Sequence, residues 1–157
     1  MFILAAQRDD DHVGAFHRYR TYLEENRTRF PKCAHALAIS AWYFDFQRHD
    51  CPHDAWLEWI RIEEASSGQR HEIRSSAITI RLLGAYHDGN IELHYPRVFE
   101  YQFDSPGIEG GHRNWRYDEL RVDTQGRLIH EIEWCGARTA ATWRIVASDV
   151  EFRWMPC

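Results

Sequence analysis

The sequence predicts an α+β fold, with one or two N-terminal helices packed on a mostly antiparallel meander of about six strands. Three observations carry that prediction. Apolar residues recur at helical spacing before residue 46, the pattern switches to period two after residue 55, and two hairpin signals punctuate the second part. Hairpin-linked strands pair with their neighbours, which makes a meander the simplest arrangement. With 157 residues the chain reads as one domain, 1–157, with a helical part over about 9–46 and a β-sheet part over about 55–155.

From about Asp9 to Asn26 the spacing predicts a helix. Aspartates crowd its start, where the helix dipole favours them, and Val13, Phe16, Tyr19 or Arg20, and Leu23 share a face. Pro31 is expected to end it. A shorter helix is expected from Ala34 to Trp42, with Leu37 and Ala41 on one side. Strands are expected over Trp56–Glu63, Glu72–Tyr86, Ile91–Phe103, Thr142–Val146 and Val150–Trp154. Asp88-Gly89 reads as a two-residue turn that sets Leu82, Gly84 and Tyr86 against Tyr95, Leu93 and Ile91. At Pro96 the apolar phase changes and a ladder donor is lost, which predicts a bulge or a sheet edge. Ser105 to Gly111 is a loop.

The segment Gly111–Trp134 is the most informative. Asp118, Leu120 and Val122 share one parity, and Leu128, His130, Ile132 and Trp134 share the matching one on the next strand. Asp123-Thr124-Gln125-Gly126 reads as a type I turn closed by a left-handed glycine, which pairs Val122 with Leu128, Leu120 with His130 and Glu119 with Glu131. A one-residue slip would turn the apolar set outward.

Composition narrows the function classes. The net charge of -5 speaks against a phosphate backbone as partner, so no nucleic acid is expected. Lys32 is the only lysine among 19 basic residues, a bias that coding preference explains as readily as a need for bidentate contacts. Seven tryptophans fit either a thick core or an exposed binding face. The four cysteines, Cys33, Cys51, Cys135 and Cys157, form no CxxC pair, and with no signal-like segment at Met1–Ala6 the expected setting is a reducing cytoplasm without membrane attachment.

Phe30-Pro31, Trp42-Tyr43-Phe44-Asp45, the run Cys51-Pro52-His53-Asp54-Ala55-Trp56-Leu57-Glu58, the run Ile80–Gly89 and the Asp118–Trp134 hairpin together resemble a group of small uncharacterised bacterial proteins. The resemblance covers most of the chain. It implies a bacterial, intracellular single domain and transfers no functional residue. Where that pattern would show Gly-His-Gly-Asp, this chain has Gly111-His112-Arg113-Asn114.

Several constellations could carry chemistry. His49, Cys51 and His53 are residue types that bind zinc, but ligands one residue apart chelate a single ion poorly and no second pair sits at finger spacing, so no metal and no cofactor is expected. His-Asp dipeptides at 49–50, 53–54 and 87–88 do not make a metal-dependent phosphohydrolase, whose ligands lie on packed helices; 87–88 falls in a turn. His130, on an apolar face, is either a hydrogen-bonded core histidine or a general base. Glu119 opposite Glu131 sets like charges across a ladder, which Arg121 or a cation shared with Glu133 would compensate. There is no nucleophile elbow, phosphate loop or dinucleotide fingerprint.

The run Trp42, Tyr43, Phe44 and Phe46 cannot bury every ring on one side of a short helix and is a candidate partner surface. The leading expectation is therefore a non-enzymatic protein-binding domain, like an immunity or antitoxin factor, whose partner is another protein. The alternative is a small hydrolase or metal-dependent enzyme using His130 with Glu119, Glu131 or His112. Oligomeric state is not readable from these patterns.

Overall fold

The computed structural model describes residues 1–5, 10–135 and 141–157, and it places two helices against a seven-stranded antiparallel sheet. The helices are α1 (His12–Glu25) and α2 (Lys32–Ala38). The strands are β1 (Trp56–Ser67), β2 (Ile73–Leu83), β3 (Gly89–Asp104), β4 (Trp115–Val122), β5 (Leu128–Trp134), β6 (Ala141–Ala147) and β7 (Glu151–Pro156).

The α+β class holds, with seven strands instead of about six. The meander is broken twice: the order is β1-β2-β3-β6-β5-β4, with β7 also on β3. Two three-stranded meanders are thus joined through β3 and β6, and the 105–114 segment carries the chain across to β4. The length of β3 lets it hold two strands in succession. Its first half, from Gly89 to His94, pairs with β7, and its second half, from Val98 to Asp104, pairs with β6. At one end the path meets itself: Trp56 bridges Asn114, Trp115 N–H donates to Ala55 O at 2.9 Å, and Asp54 N–H donates to Trp115 O at 2.8 Å.

α1 begins where a side-chain acceptor meets its free amides, with Asp11 as N-cap accepting from Gly14 N–H at 2.9 Å. The expected start at Asp9 lies outside the described residues. Ala15, Tyr19 and Leu23, at i, i+4 and i+8, form its buried stripe. Tyr19 also donates its hydroxyl to Leu120 O (2.9 Å) and accepts from Leu120 N–H (2.7 Å), while Tyr22 Oη accepts from Val122 N–H at 3.0 Å. The outer edge of β4 is therefore covered by α1. Pro31 serves as N-cap of α2 instead of terminating α1, and α2 stops at Ala38, not Trp42. Its first amides are held by Asp149, which accepts from Cys33 N–H at 3.1 Å and Ala34 N–H at 2.8 Å.

The register of the β4–β5 hairpin is the expected one: Val122 opposes Leu128, Leu120 opposes His130, and Glu119 opposes Glu131. The register of β2 and β3 is not. Leu82 faces Ile91, Ile80 faces Leu93 and Ile78 faces Tyr95, because the turn is longer than the Asp88-Gly89 pair suggests. Gly84 N–H donates to Gly89 O at 2.9 Å and His87 takes φ 58° inside the loop. Trp154 packs closely over that turn: a Cβ on Gly89 would lie 2.4 Å from its ring and one on Gly84 would lie 3.1 Å away. The phase change at Pro96 does appear as a register shift, between the pairs Ser76–Val98 and Ile78–Tyr95.

The core lies between the inner sheet face and the helices. Ile78, Ile80, Leu82, Ile91, Leu93, Leu120, Ile132 and Ile145 are fully buried in it. Each such side chain stabilises the fold by about 1.5 to 3 kcal/mol relative to exposure.

Candidate functional site

Three polar residues are buried among the described residues, Asp118, Glu119 and His130, and they fall into two separate networks. Asp118 shares the inward parity of Leu120, and His130 stands opposite Leu120, so both enter the core as diagonal neighbours on β4 and β5. His130 Nε2 donates to Asp118 Oδ2 at 2.8 Å, and its Nδ1 lies 2.6 Å from Tyr95 Oη on β3. A carboxylate can only accept, so Nε2 carries a proton, and in the neutral ring Nδ1 accepts from the tyrosine. Asp118 also accepts from Tyr43 Oη at 2.7 Å and from Trp115 Nε1 at 3.0 Å. Burial raises both tyrosine hydroxyls far above their usual range, and the Asp118 charge raises them further, so they remain protonated donors.

Every member of this set is between 0 and 3% exposed. Both His130 nitrogens are engaged within it. The geometry suits a satisfied polar core that locks β3, β4, β5 and the Tyr43 segment to one another. Sequence reading placed His130 on the apolar face but overlooked Asp118, Tyr95 and Tyr43 as its companions. The parity of Asp118 with Leu120 and Val122 was the available signal, because a carboxylate on an apolar face requires donors.

Glu119 is also fully buried, on the other face of β4. Its Oε2 accepts from three successive amides, Phe2 and Ile3 at 2.9 Å and Leu4 at 3.3 Å. Arg121 Nε lies 2.8 Å from Oε1, an ion pair set off-line for a hydrogen bond, and the same guanidinium pairs with Glu131. Arg121 thus compensates the acidic pair, as the diagonal register implies, and Arg144 approaches Glu131 from β6 at 3.8 Å. His112 joins neither network. It is half-buried, with its ring 5.6 Å from that of Trp134 and 5.1 Å from that of Trp143, and burial lowers its pKa. The four residues of the enzyme alternative therefore occupy three places.

The His49, Cys51 and His53 side chains diverge. His49 stacks on Tyr86 at 4.1 Å and pairs with Asp88. Cys51 is buried and donates its thiol to Tyr43 O, with burial pushing its pKa up to about 12. His53 stacks on Phe46 at 3.9 Å, and burial lowers its pKa. Among the described residues, no three His, Cys, Asp or Glu side chains are grouped to hold a metal ion.

The aromatic run divides. Tyr43 is buried, Trp42 packs on Phe152 with ring centroids 4.8 Å apart, and Phe44 packs edge-on against Phe16 at 5.5 Å. Phe46 alone is exposed, at 37%. Most of the run is the joint between the helical layer and the sheet.

Besides Phe99 and Tyr101 on β3, 43% and 47% exposed, exposed aromatic surface lies where the sheet path meets itself. Trp56 (48% exposed) contacts His87 edge-on at 4.6 Å, and Tyr86 (49% exposed) stacks on His49. Trp56 Nε1 donates to Asn114 Oδ1 at 3.0 Å, and Asn114 Nδ2 donates to Asp54 Oδ1 at 2.9 Å. Beside it, Trp56, Leu57, Gly110, Gly111, His112 and Arg113 line an open cleft of about 420 Å³. Asp54, His87 and Arg113 all take left-handed backbone angles, with φ between 58° and 64°. Such angles are unfavourable for side chains other than glycine and gather where a surface is held in a set shape. The pattern of exposed rings bordered by polar groups was not legible beforehand, since its members come from four separate segments.

No protein-family model matches this chain, and comparison with curated proteins and with solved structures finds no match to either. Among the described residues, no helix is long and apolar enough to cross a membrane.

Proposed function

We propose that this chain is a non-enzymatic protein-binding domain, of the kind an immunity or antitoxin factor would be, and that the strip His49–Tyr86–His87–Trp56 is its partner-facing surface. One observation carries the reading. His130 and Glu119 are buried and engaged, while two large aromatic rings stand half-exposed on a shaped rim of Asp54, Asp88 and Asn114. Half-exposed tryptophan and tyrosine bordered by hydrogen-bonding groups have the composition of interface anchors. The acidic rim and the net charge of -5 suit a partner with a basic contact face.

The test is a pair of substitutions, Trp56→Ala and Tyr86→Ala, with affinity purification and mass spectrometry to identify what the wild type retains. Each anchor contributes about 2 kcal/mol or more, so affinity for that partner should fall roughly 30-fold per ring with the unfolding midpoint nearly unchanged. A partner bound equally tightly by the doubly substituted chain would refute the assignment.

A further inference from the structure

The outer edge of β1 supports an inference independent of the partner-facing strip. Edge strands are normally protected, and β4 shows how this protein does so, with Tyr19 and Tyr22 hydroxyls occupying its free backbone groups. Among the described residues, β1 has no such cover. At 54–56 it is held by Asn114 and Trp115, but from Leu57 to Ser67 it pairs, among the described residues, with β2 alone. That edge has neither lysine nor proline. Every residue from Arg61 to Ser75 is exposed, so the β1–β2 hairpin projects as a two-stranded ribbon. It carries Ile62 at 44% and Ile73 at 60% exposure. A two-stranded ribbon without a core beneath it is marginal in water and gains from further pairing.

Charge identifies the partner. An antiparallel pairing of two copies that uses the whole open edge, 57 against 67, is centred on Ile62, which then faces its own counterpart across a two-fold axis. In that register Arg61 of each copy faces Glu63 of the other, twice by symmetry. Neither residue has an ion-pair partner among the described residues of its own chain, whereas neighbouring Glu64 already holds Arg74 at 2.7 Å. Edge charges ordinarily oppose strand pairing, but these two are complementary to themselves in the register that gives full overlap. We infer that β1 is a homodimerisation edge, pairing antiparallel with β1 of a second copy about Ile62 and joining the two sheets into one.

The experiment measures solution mass by light scattering for wild type, Arg61→Glu, Glu63→Arg and the double exchange. Wild type should have twice the chain mass of 18.7 kDa. Either single reversal sets like charges opposite each other twice and should give monomers. An equimolar mixture of the two single variants restores both attractive pairs and should recover the dimer, as should the double exchange within one chain. A second arm uses Ile62→Cys: under mild oxidation, peptide mapping should find a disulfide joining position 62 of two copies. A monomeric wild type overturns the proposal, as does a dimer indifferent to the reversals. Monomeric single variants whose mixture and double exchange both stay monomeric overturn the Ile62 register, and so does absence of the position-62 disulfide in a dimeric chain.

Discussion

Replacing His130 by leucine tests whether the buried network holds the fold. The substitution keeps the side chain close in volume, so its cost comes mainly from lost hydrogen bonds and not from a cavity. Two consequences follow. Tyr95 Oη loses the partner that it has at 2.6 Å, and a buried hydroxyl left unsatisfied costs about 1 to 3 kcal/mol. Asp118 loses the donor at 2.8 Å but keeps Tyr43 and Trp115, and a bond to a charged group is worth about 1.5 to 3 kcal/mol. His130→Leu should therefore destabilise by about 3 to 5 kcal/mol, a large part of a typical domain's stability.

Tyr95→Phe removes the orphaned hydroxyl, so adding it to His130→Leu should cost less than it does in the wild type. The coupling should be about 1 to 2 kcal/mol. Urea unfolding of the four proteins provides the measurement, with midpoints and slopes read separately so that a change in cooperativity is not counted as stability. A His130→Leu protein within about 0.5 kcal/mol of wild type, the range typical of surface changes, would refute a buried structural network. So would strict additivity with Tyr95→Phe.

Two other predictions rest on single contacts. Burial holds the His53 pKa below its usual 6.5, so on acidification the unfolded chain takes up that proton first. The stabilisation from neutral His53 is present above pH 6.5 and is lost as pH falls through the lower folded value; His53→Gln should flatten the fall of the urea midpoint over that interval, and an unchanged pH slope would exclude this role. Gly89→Ala should destabilise by about 1 to 3 kcal/mol through overpacking, because its Cβ would meet the Trp154 ring at 2.4 Å and Met155 O at 2.8 Å. Gly84→Ala, with its nearest contact at 3.1 Å, should cost less, and equal melting temperatures for the two variants would remove Trp154 as the cause.

What could be read in the sequence follows the distance over which each feature is decided. The β4–β5 register is fixed locally: Gly126 takes φ 75°, and Asp123 N–H donates to Arg127 O at 3.0 Å, as the turn residues specify. The β2–β3 register goes with a longer turn, and Trp154, far along the chain, packs against Gly84 and Gly89 at its two ends. No local turn rule includes it. Strand order escaped for a similar reason, because placing β6 beside β3 depends on long-range pairing and not on any hairpin. The Glu119–Glu131 opposition and its relief by Arg121 were legible, being contained in one hairpin. The amides of Phe2, Ile3 and Leu4 on Glu119 were not.

A polar residue at an apolar parity marks catalysis and buried structure equally well, and what separates them is the number of partners left over. His130 has none: Tyr95 and Asp118 take its two nitrogens, and Asp118 in turn is shared with Tyr43 and Trp115. Those partners come from separate strands and from the segment after α2, so the network can form only when β3, β4, β5 and that segment are brought together. It therefore acts as a check on the correct fold, since any register slip would strand a buried carboxylate or hydroxyl at a cost of several kcal/mol. The opposite holds at the exposed strip. Trp56 spends its N–H on Asn114 yet leaves its ring half in water, two residues after Asp54 with its left-handed φ of 64°. The proposed recognition of another surface would account for Trp56 and Tyr86 standing half in water there.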